Sequence, residues 1–573
     1  MEDLWEKVND IKDDVSDIIF DTIRDKLNRT SNEIGENHPE YPKLIVLENV
    51  FSLALNLDDP KEPYTFRYML KDKRSIFLEV FNTTMTDTLK SIIDEQTLKS
   101  PLMLFRVMDV YWTLSKDYLI RENLFSNLMS SIDFCFRKEQ YYLMTSLLER
   151  GFQLFVSEDK RRIQLIEKLD FIFNKYDFTR PLEPSIQRLM YQLLSFTCKY
   201  KHIKEEKYPG IGVEIAENLE RNKDFYSAKH WWELCTKWFY KLNRNECALN
   251  CEKKKALSFY KMAREQLGQE SVNYHIVVDN LNSAILSLRK VKGNEEVVKK
   301  WTIEKSEYEK KALDQFSCIE FPTIDISIEL EEIEKYFNGK NPLEIIIIIG
   351  SLVRSLDYTK LLEEASKNNS IFNYGNRKKV NNEGKNVHIA RNDDEFSEYV
   401  LTTYLENYAY TASLIQHSIE LLHNHHFLRT ETLLAITTEN IFIPEDRELI
   451  FAQGLREGLK GNYVTSLSIL IPQFEHSIRF LLEKNGEIVT NLGEDSVQEE
   501  KTLNQLLSYN KLEDIFGLNV VKDLQHLFVN KGGENLRNKL SHGLLSSDEF
   551  HSPAAIYAFG IILKIISYFK IGY

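Results

Sequence analysis

Three side chains with complementary chemistry lie close together near the C-terminal end of the chain. They are Arg537, Asn538 and His542, in the stretch GGENLRNKLSHGLL at residues 532–545. On a helix with about 100° per residue, Asn538 and His542 lie about 40° apart, and the long side chain of Arg537 can reach the same volume. The three side chains are therefore expected to share one small site.

Each of these residue types suits cleavage of an RNA phosphodiester. Arginine forks onto two phosphate oxygens, and histidine gives and takes a proton near neutral pH. Asparagine can hold an imidazole tautomer or a ribose hydroxyl. Such a set can remove a 2′-hydroxyl proton and stabilise the crowded phosphate without a metal ion or another cofactor. By spacing alone the residues are also compatible with an ordinary surface helix whose C-terminal His interacts with the helix dipole.

A short helix must position these residues, and its boundaries are visible in the sequence. Gly532 and Gly533 interrupt the preceding helix, and Gly543 is a natural C-terminal stop. Between them Leu536, Leu540 and Leu544 repeat every four residues, which predicts an apolar ridge facing the core.

A second candidate residue, Glu475, lies at the edge of the apolar face of another predicted helix, which begins near Gly461. A carboxylate at a core margin needs a partner. Arg479, four residues on, would be a purely structural partner. Arg537 or His542 would be a functional one, which Glu475 would orient. Both alternatives stay open on the sequence alone.

These segments resemble a known superfamily. An Arg, a short spacer and a His, often with Asn directly after the Arg, is the signature of HEPN domains (higher eukaryotes and prokaryotes nucleotide-binding). The longer context resembles a bacterial HEPN-related family of unknown function. That family carries Pro-Gln-x-Glu, Ile-Val-Thr-Asn-Leu, Gln-Glu-Glu-Lys and Leu-Arg-Asn-x-Leu-[Ala/Ser]-His-Gly-Leu-Leu motifs, which here are residues 472–475, 488–492, 498–501 and 536–545. The close match spans about residues 444–569.

The resemblance implies a metal-independent endoribonuclease that acts as a toxin or anti-phage effector on tRNA or mRNA. His542 would transfer the proton, and Arg537 would hold the scissile phosphate. Asn538 would position the reacting groups, and Glu475 would support these three residues. HEPN domains typically pair, so that each cleft uses both copies of the motif, which implies a homodimer through the C-terminal domain. A regulatory partner protein is a further possibility.

Two other functions are compatible with the same residues. Some HEPN domains only bind or regulate, so the alternative is a non-catalytic module that binds a nucleotide or a protein on a helical scaffold. A pure helical-repeat adaptor is the third hypothesis, and it predicts that Arg537 and His542 can be changed freely.

Composition limits the broader class. The chain has 573 residues, 43% hydrophobic and 28% charged, which is typical of globular proteins. A net charge of −14 argues against a broad nucleic-acid-coating surface. The six Cys are scattered without metal-ligand spacing. His423, His425 and His426 near Glu431 also lack such spacing, so we expect no metal site. With an acidic, amphipathic N-terminal stretch and no long uncharged apolar run, we expect a cytoplasmic protein without membrane contact.

Helical spacing dominates the whole chain, and we predict an all-α fold. Its parts are an N-terminal helical domain (residues 1–205), a tetratricopeptide-like array of helical hairpins (206–320), a helical connector (321–440) and a C-terminal HEPN-like bundle (441–573). Trp231, Trp232 and Trp238 fit core packing better than a base-stacking platform. The isoleucines at 345–349 favour a buried helix over a strand. The polar stretch 368–394 is interpreted as an exposed loop with a small hairpin at 371–374 and 387–390, able to touch RNA but more typical of a solvated linker.

Overall fold

The structure, a computed structural model, describes residues 2–9, 19–66, 81–155, 158–316, 324–367, 377–381, 383–390, 397–492 and 498–571. Within these residues the regular structure is almost entirely helical, and strands occur only in short two-stranded hairpins. The predicted all-α fold is therefore confirmed. The chain divides into two compact units, Met1–Tyr308 and Glu309–Tyr573.

The first unit is a succession of amphipathic helices, several of them started by a capping side chain. Asn82, Asp224 and Asn273 each accept a hydrogen bond from the backbone N–H three residues on. The helices are α1 (Glu2–Asn9), α2 (Ile19–Ile34), α3 (Tyr41–Phe51), α4 (Thr83–Asp94), α5 (Pro101–Ser115), α6 (Arg121–Arg137), α7 (Tyr141–Phe155), α8 (Asp159–Phe173), α9 (Pro184–Lys199), α10 (Lys207–Arg221), α11 (Phe225–Lys241), α12 (Asn245–Leu267) and α13 (Tyr274–Leu288), followed by α14 (Glu295–Leu313), whose residues from Glu309 onward are counted in the second unit. One hairpin, β1 (Leu53–Leu55) with β2 (Tyr64–Phe66), follows α3.

The tryptophans of α11 belong to the core. Trp231, Trp232 and Trp238 are each at most 2% exposed. The indole N–H of Trp238 donates to the Leu194 carbonyl at 2.8 Å, so even its polar edge is satisfied inside the protein. Core packing, and not a base-stacking platform, is therefore the confirmed role of these rings.

The second unit is also helical and shares one apolar core from Ile333 to Phe569. Its helices are α15 (Ser327–Phe337), α16 (Pro342–Ser351), α17 (Tyr358–Lys367), α18 (Glu398–His425), α19 (Thr430–Thr437), α20 (Glu448–Leu459), α21 (Tyr463–Lys484), α22 (Leu503–Leu506), α23 (Asn510–Phe516), α24 (Leu518–Leu524), α25 (Leu536–Ser541), α26 (Ser547–Phe550) and α27 (Pro553–Ile571). The hairpins are β3 (Arg377–Val380) with β4 (Asn386–Ala390), and β5 (Thr490–Leu492) with β6 (Gln498–Glu500).

Helix α27 forms the centre of this unit, in contact with α16, α18 and α21. The isoleucine run lies in α16, as predicted, because a capping box of Asn341 and Glu344 starts a helix there. A Cβ on Gly350 would lie 3.1 Å from the backbone of Lys564, so the two helices touch backbone to backbone. Among the described residues only Ser547–Lys570 has the length and apolarity of a membrane span, and 72% of that apolar window is buried within the protein.

The polar stretch 368–394 contains β3 and β4. The strand expected at residues 371–374 lies outside the described residues, and the observed partner of β4 is Arg377–Val380. This hairpin matters for the candidate site because it carries Lys379.

Candidate functional site

Helix α21 places Glu475 at the margin of the core. The helix begins at Tyr463, where the side chain of Asn462 accepts from the N–H of Thr465. Phe474 and Ile478, on either side of Glu475 along the helix, are fully buried, and Glu475 itself is 9% exposed. A carboxylate this deeply placed must be paired.

Arg537 is its main partner. The guanidinium Nε donates to Glu475 Oε2 at 2.8 Å and Nη2 donates to Oε1 at 3.1 Å, a bidentate ion pair between α21 and α25. Arg479 approaches the same carboxylate at 3.7 Å but pairs more closely with Glu500, at 2.8 Å. Of the three partners left open by the sequence, Arg537 therefore makes the hydrogen bonds and Arg479 adds a weaker charge contact, while His542 makes no hydrogen bond with Glu475 among the described residues.

The ion pair leaves part of the arginine available. Nη1 donates to Asn538 Oδ1 at 3.3 Å, so three of the five N–H groups of Arg537 are used. In the described part of the chain, one N–H on Nη1 and one on Nη2 have no protein acceptor. The side chain is 25% exposed. The outer edge of the guanidinium can therefore meet a ligand such as a phosphate.

Asn538 is held by the turn that precedes α25. Its amide donates to Asn535 Oδ1, and Asn535 adopts a left-handed conformation with φ of 55°. Asparagine tolerates this conformation better than most residues. Just before it, a Cβ on Gly533 would lie 2.1 Å from the carbonyl oxygen of His526, so only glycine fits this loop.

His542 follows the last residue of α25. Its backbone N–H donates to the Asn538 carbonyl at 3.1 Å, and its side chain is exposed. Among the described residues it makes no hydrogen bond with Glu475 or Arg537. The imidazole therefore lies at the open end of the helix, one turn beyond Asn538, where a substrate can reach it.

The predicted apolar ridge is only partly present. Leu536 is buried and Leu540 is half-buried, but Leu544 is 56% exposed. The reason is Gly543, whose φ of 65° turns the chain away from the helix, so that Leu545 and not Leu544 packs against the core.

Two arginines and two lysines around the site each contact an acidic side chain. Besides the two pairs with arginine, Lys539 contacts Glu549 at 3.1 Å and Lys379 contacts Glu534 at 3.4 Å. Burial lowers the pKa of Lys379, despite the opposing effect of Glu534. The site thus presents local donors without a strong net positive field.

A buried polar cluster lies under the segment that leads into α25. The π-helical turn Gln525–Val529 places His526 against Tyr404, with ring centroids 3.9 Å apart, and its Nδ1 lies 2.9 Å from the hydroxyl of Tyr408. Burial lowers the pKa of His526 to about 3. The carbonyl of His526 accepts the N–H of Glu534 at 2.9 Å, which ties the cluster to the turn before Arg537.

Sequence reasoning missed Asn535 and Lys379. Asn535 carries a visible signal, since an Asn before a short apolar repeat is a common helix-start residue. Lys379 has no local signal, because its role depends on a contact with residues more than 150 positions away in the chain.

Comparisons with known proteins cover another part of the chain. A family described as a domain of unknown function (DUF7380) matches residues 7–125. No curated protein and no solved structure matches the chain. The matched region is about a fifth of the chain and lies in the first unit, so it carries no information about the site around Arg537.

Proposed function

We propose that this protein is a metal-independent endoribonuclease of the HEPN type that arrests growth as a toxin or anti-phage effector. One observation carries the proposal: Glu475 holds the inner edge of Arg537, while the outer edge, Asn538 and the exposed His542 remain accessible. A fixed guanidinium and an accessible imidazole in one short segment can supply the charge stabilisation and the proton transfer that phosphodiester cleavage in RNA requires.

In the proposed reaction His542 accepts the proton of a ribose 2′-hydroxyl. The 2′-oxygen forms a bond to phosphorus, and the bond from phosphorus to the 5′-oxygen breaks, giving a 2′,3′-cyclic phosphate and a 5′-hydroxyl. Arg537 stabilises the negative charge that develops on the phosphate. Asn538 positions the reacting groups, and Glu475 keeps Arg537 in one orientation.

The leaving 5′-oxygen needs a proton donor, and one chain offers a single imidazole in this segment. A second copy of the chain would supply the other. We therefore include a homodimer through the C-terminal domain in the proposal. The exposed Leu544, two residues from His542, gives this edge an apolar side chain for such a contact.

The experiment compares wild type, His542→Ala and His425→Ala. His425 is the matched control, because it is also an exposed imidazole at the end of a helix, α18. We expect growth arrest in a bacterial host and cleavage of total RNA in EDTA for wild type and His425→Ala, and neither for His542→Ala. Equal toxicity and equal cleavage by all three proteins would remove the catalytic role of His542.

A second function is favoured by one observation. Arg537 is already neutralised by Glu475, as expected for a site that binds a nucleotide or a protein tail without reacting. Thermal stabilisation by nucleotides that is lost in Arg537→Gln, with no RNA cleavage by the wild type, would establish this alternative.

A further inference from the structure

The hairpin β3–β4 contributes one side chain to the candidate site. Lys379 on β3 donates to the backbone carbonyls of Gly532 and Gly533 and lies 3.4 Å from the Glu534 carboxylate. All three acceptors belong to the turn before α25. An ammonium group has three N–H donors, so these contacts use its full capacity.

The turn needs such a donor. Gly532 and Gly533 are buried, and buried backbone carbonyls without partners destabilise a fold. The close approach of Gly533 to His526 also prevents this loop from moving toward the buried cluster. Lys379 therefore adds a second set of contacts that hold the loop, besides the loop's contact with His526.

From this turn, consecutive contacts lead to the arginine. The turn sets the left-handed conformation of Asn535, the side chain of Asn535 holds the amide of Asn538, and Asn538 accepts from Nη1 of Arg537. We propose that Lys379 is a positioning residue for Arg537 and that the hairpin β3–β4 is part of the site rather than a solvated linker. This inference rests on the proposed function, because it assigns a positioning residue to the same reaction.

The hairpin is itself anchored by its turn. Gly384, with φ of 79°, lies so close to Glu309 that an added Cβ would be 2.2 Å from the Glu309 carbonyl oxygen. Asn381 closes the turn by accepting from the N–H groups of Glu383 and Lys385. A strand fixed in this way can hold Lys379 in one place.

A second lysine of the hairpin provides a matched control. Lys385 is exposed and pairs within the hairpin, with Glu383. Lys385→Met removes the same charge from the same hairpin without touching the turn before α25. Lys379→Met keeps an unbranched apolar side chain of nearly the same length but removes all three donors.

The experiment measures hydrogen exchange of the full-length variants, with amides of α21 as the internal reference. For Lys379→Met we expect exchange at residues 534–543 to be at least about 10-fold faster than in wild type, and no change for Lys385→Met. We also expect kcat for RNA cleavage to fall about 10- to 100-fold with KM within about 2-fold, because small misplacements of a catalytic group act on the chemical step. Lys379→Arg, which retains donors, should recover part of both effects.

The outcomes separate this inference from the proposed function. If residues 534–543 exchange equally in both methionine variants, Lys379 does not position the segment, whatever the nuclease activity. If exchange changes as expected but wild type cleaves no RNA, the contact is established and the reaction assigned to it is wrong. If Lys379→Met accelerates exchange throughout α21 as well, Lys379→Gln is measured in its place, and a change confined to residues 534–543 is again required.

Discussion

Each unit contains a bidentate arginine–carboxylate pair, and the two pairs differ in how they are enclosed. In the first unit Arg150 binds Asp109 through Nε and Nη2, both at 2.9 Å, with side chains 4% and 0% exposed. In the second unit Arg537 binds Glu475 with similar geometry, with side chains 25% and 11% exposed.

The surroundings account for the difference. Arg150 also donates to Gln153 and Thr113, and Tyr64 donates its hydroxyl to Asp109, so protein groups use nearly all of the polar capacity of the pair. Arg537 has one additional acceptor, Asn538, and an open edge. Bidentate pairing alone therefore does not indicate function. What distinguishes a candidate site from a structural pair is the number of guanidinium N–H groups that remain available to a ligand, together with the residues next to those groups.

The largest effect is expected for Arg150→Leu. Removing the guanidinium leaves the Asp109 charge buried without a counter-ion, which costs about 3–5 kcal/mol. Chemical denaturation of the first unit measures this loss. The control is Arg180→Leu, which breaks the exposed pair with Asp177 at 3.3 Å and should leave the denaturation midpoint nearly unchanged. Equal losses of stability in both variants would show that the burial of an ion pair does not determine its contribution to stability.

For Arg537→Gln we expect a large loss of activity and only a small loss of stability. The rate of RNA cleavage is expected to fall about 10²–10³-fold, as when one transition-state donor is removed. The free energy of unfolding should fall by only about 1–2 kcal/mol, because the Glu475 carboxylate still accepts a hydrogen bond from the N–H of Leu503 at 3.1 Å. Arg429→Gln, at an exposed position, is the control. A stability loss as large as that of Arg150→Leu, with the cleavage rate unchanged, would make Arg537 a structural residue.

A third buried carboxylate, Asp523, differs from both pairs because its hydrogen-bond partner is a hydroxyl. Asp523 is fully buried, accepts from Tyr557 at 2.7 Å, and burial raises its pKa from 3.8 to about 6. Between pH 3.8 and about 6 the folded protein retains a proton that the unfolded chain releases, so stability falls as the pH rises.

Asp523→Asn removes this dependence and keeps an oxygen acceptor for Tyr557. The stability of the variant relative to wild type should therefore rise by on the order of 2–3 kcal/mol between pH 4 and pH 7. Urea denaturation at a series of pH values measures it. A difference that does not vary with pH would mean that burial does not raise the pKa of Asp523 in the folded protein.

The smallest effect is expected for Leu544→Ser. Because Leu544 is exposed in the single chain, its replacement should change the unfolding free energy of the monomer by less than about 0.5 kcal/mol. Light scattering should nevertheless show weaker dimerisation if this edge contacts a second copy. An unchanged dimer would place the subunit contact elsewhere.

The sequence was a good guide where structure is local. Apolar spacing predicted the helical fold, the burial of Trp231 and the helix in the isoleucine run, because these depend on residues within a few turns of one another. It also predicted the stop at Gly543. The exposure of Leu544 was not expected, because the end of the helix overrides the four-residue repeat.

Long-range pairing could not be read from the chain. On the sequence alone the partner of Glu475 could be Arg479, Arg537 or His542, since each of these side chains can reach a carboxylate at a core margin. Lys379 was part of a stretch interpreted as a linker, because nothing in its neighbours indicates a contact with Gly533. Four-residue spacing shows which residues share a helix face, but not which helices meet.

The most direct test of the central claim uses purified wild type and His542→Ala in EDTA, with an RNA and a DNA of the same sequence that contains a mapped cleavage site. Wild type should cut the RNA to a 2′,3′-cyclic phosphate and a 5′-hydroxyl and leave the DNA intact, and His542→Ala should cut neither. Cleavage of the DNA, or RNA cleavage by His542→Ala at the wild-type rate, would contradict the central claim.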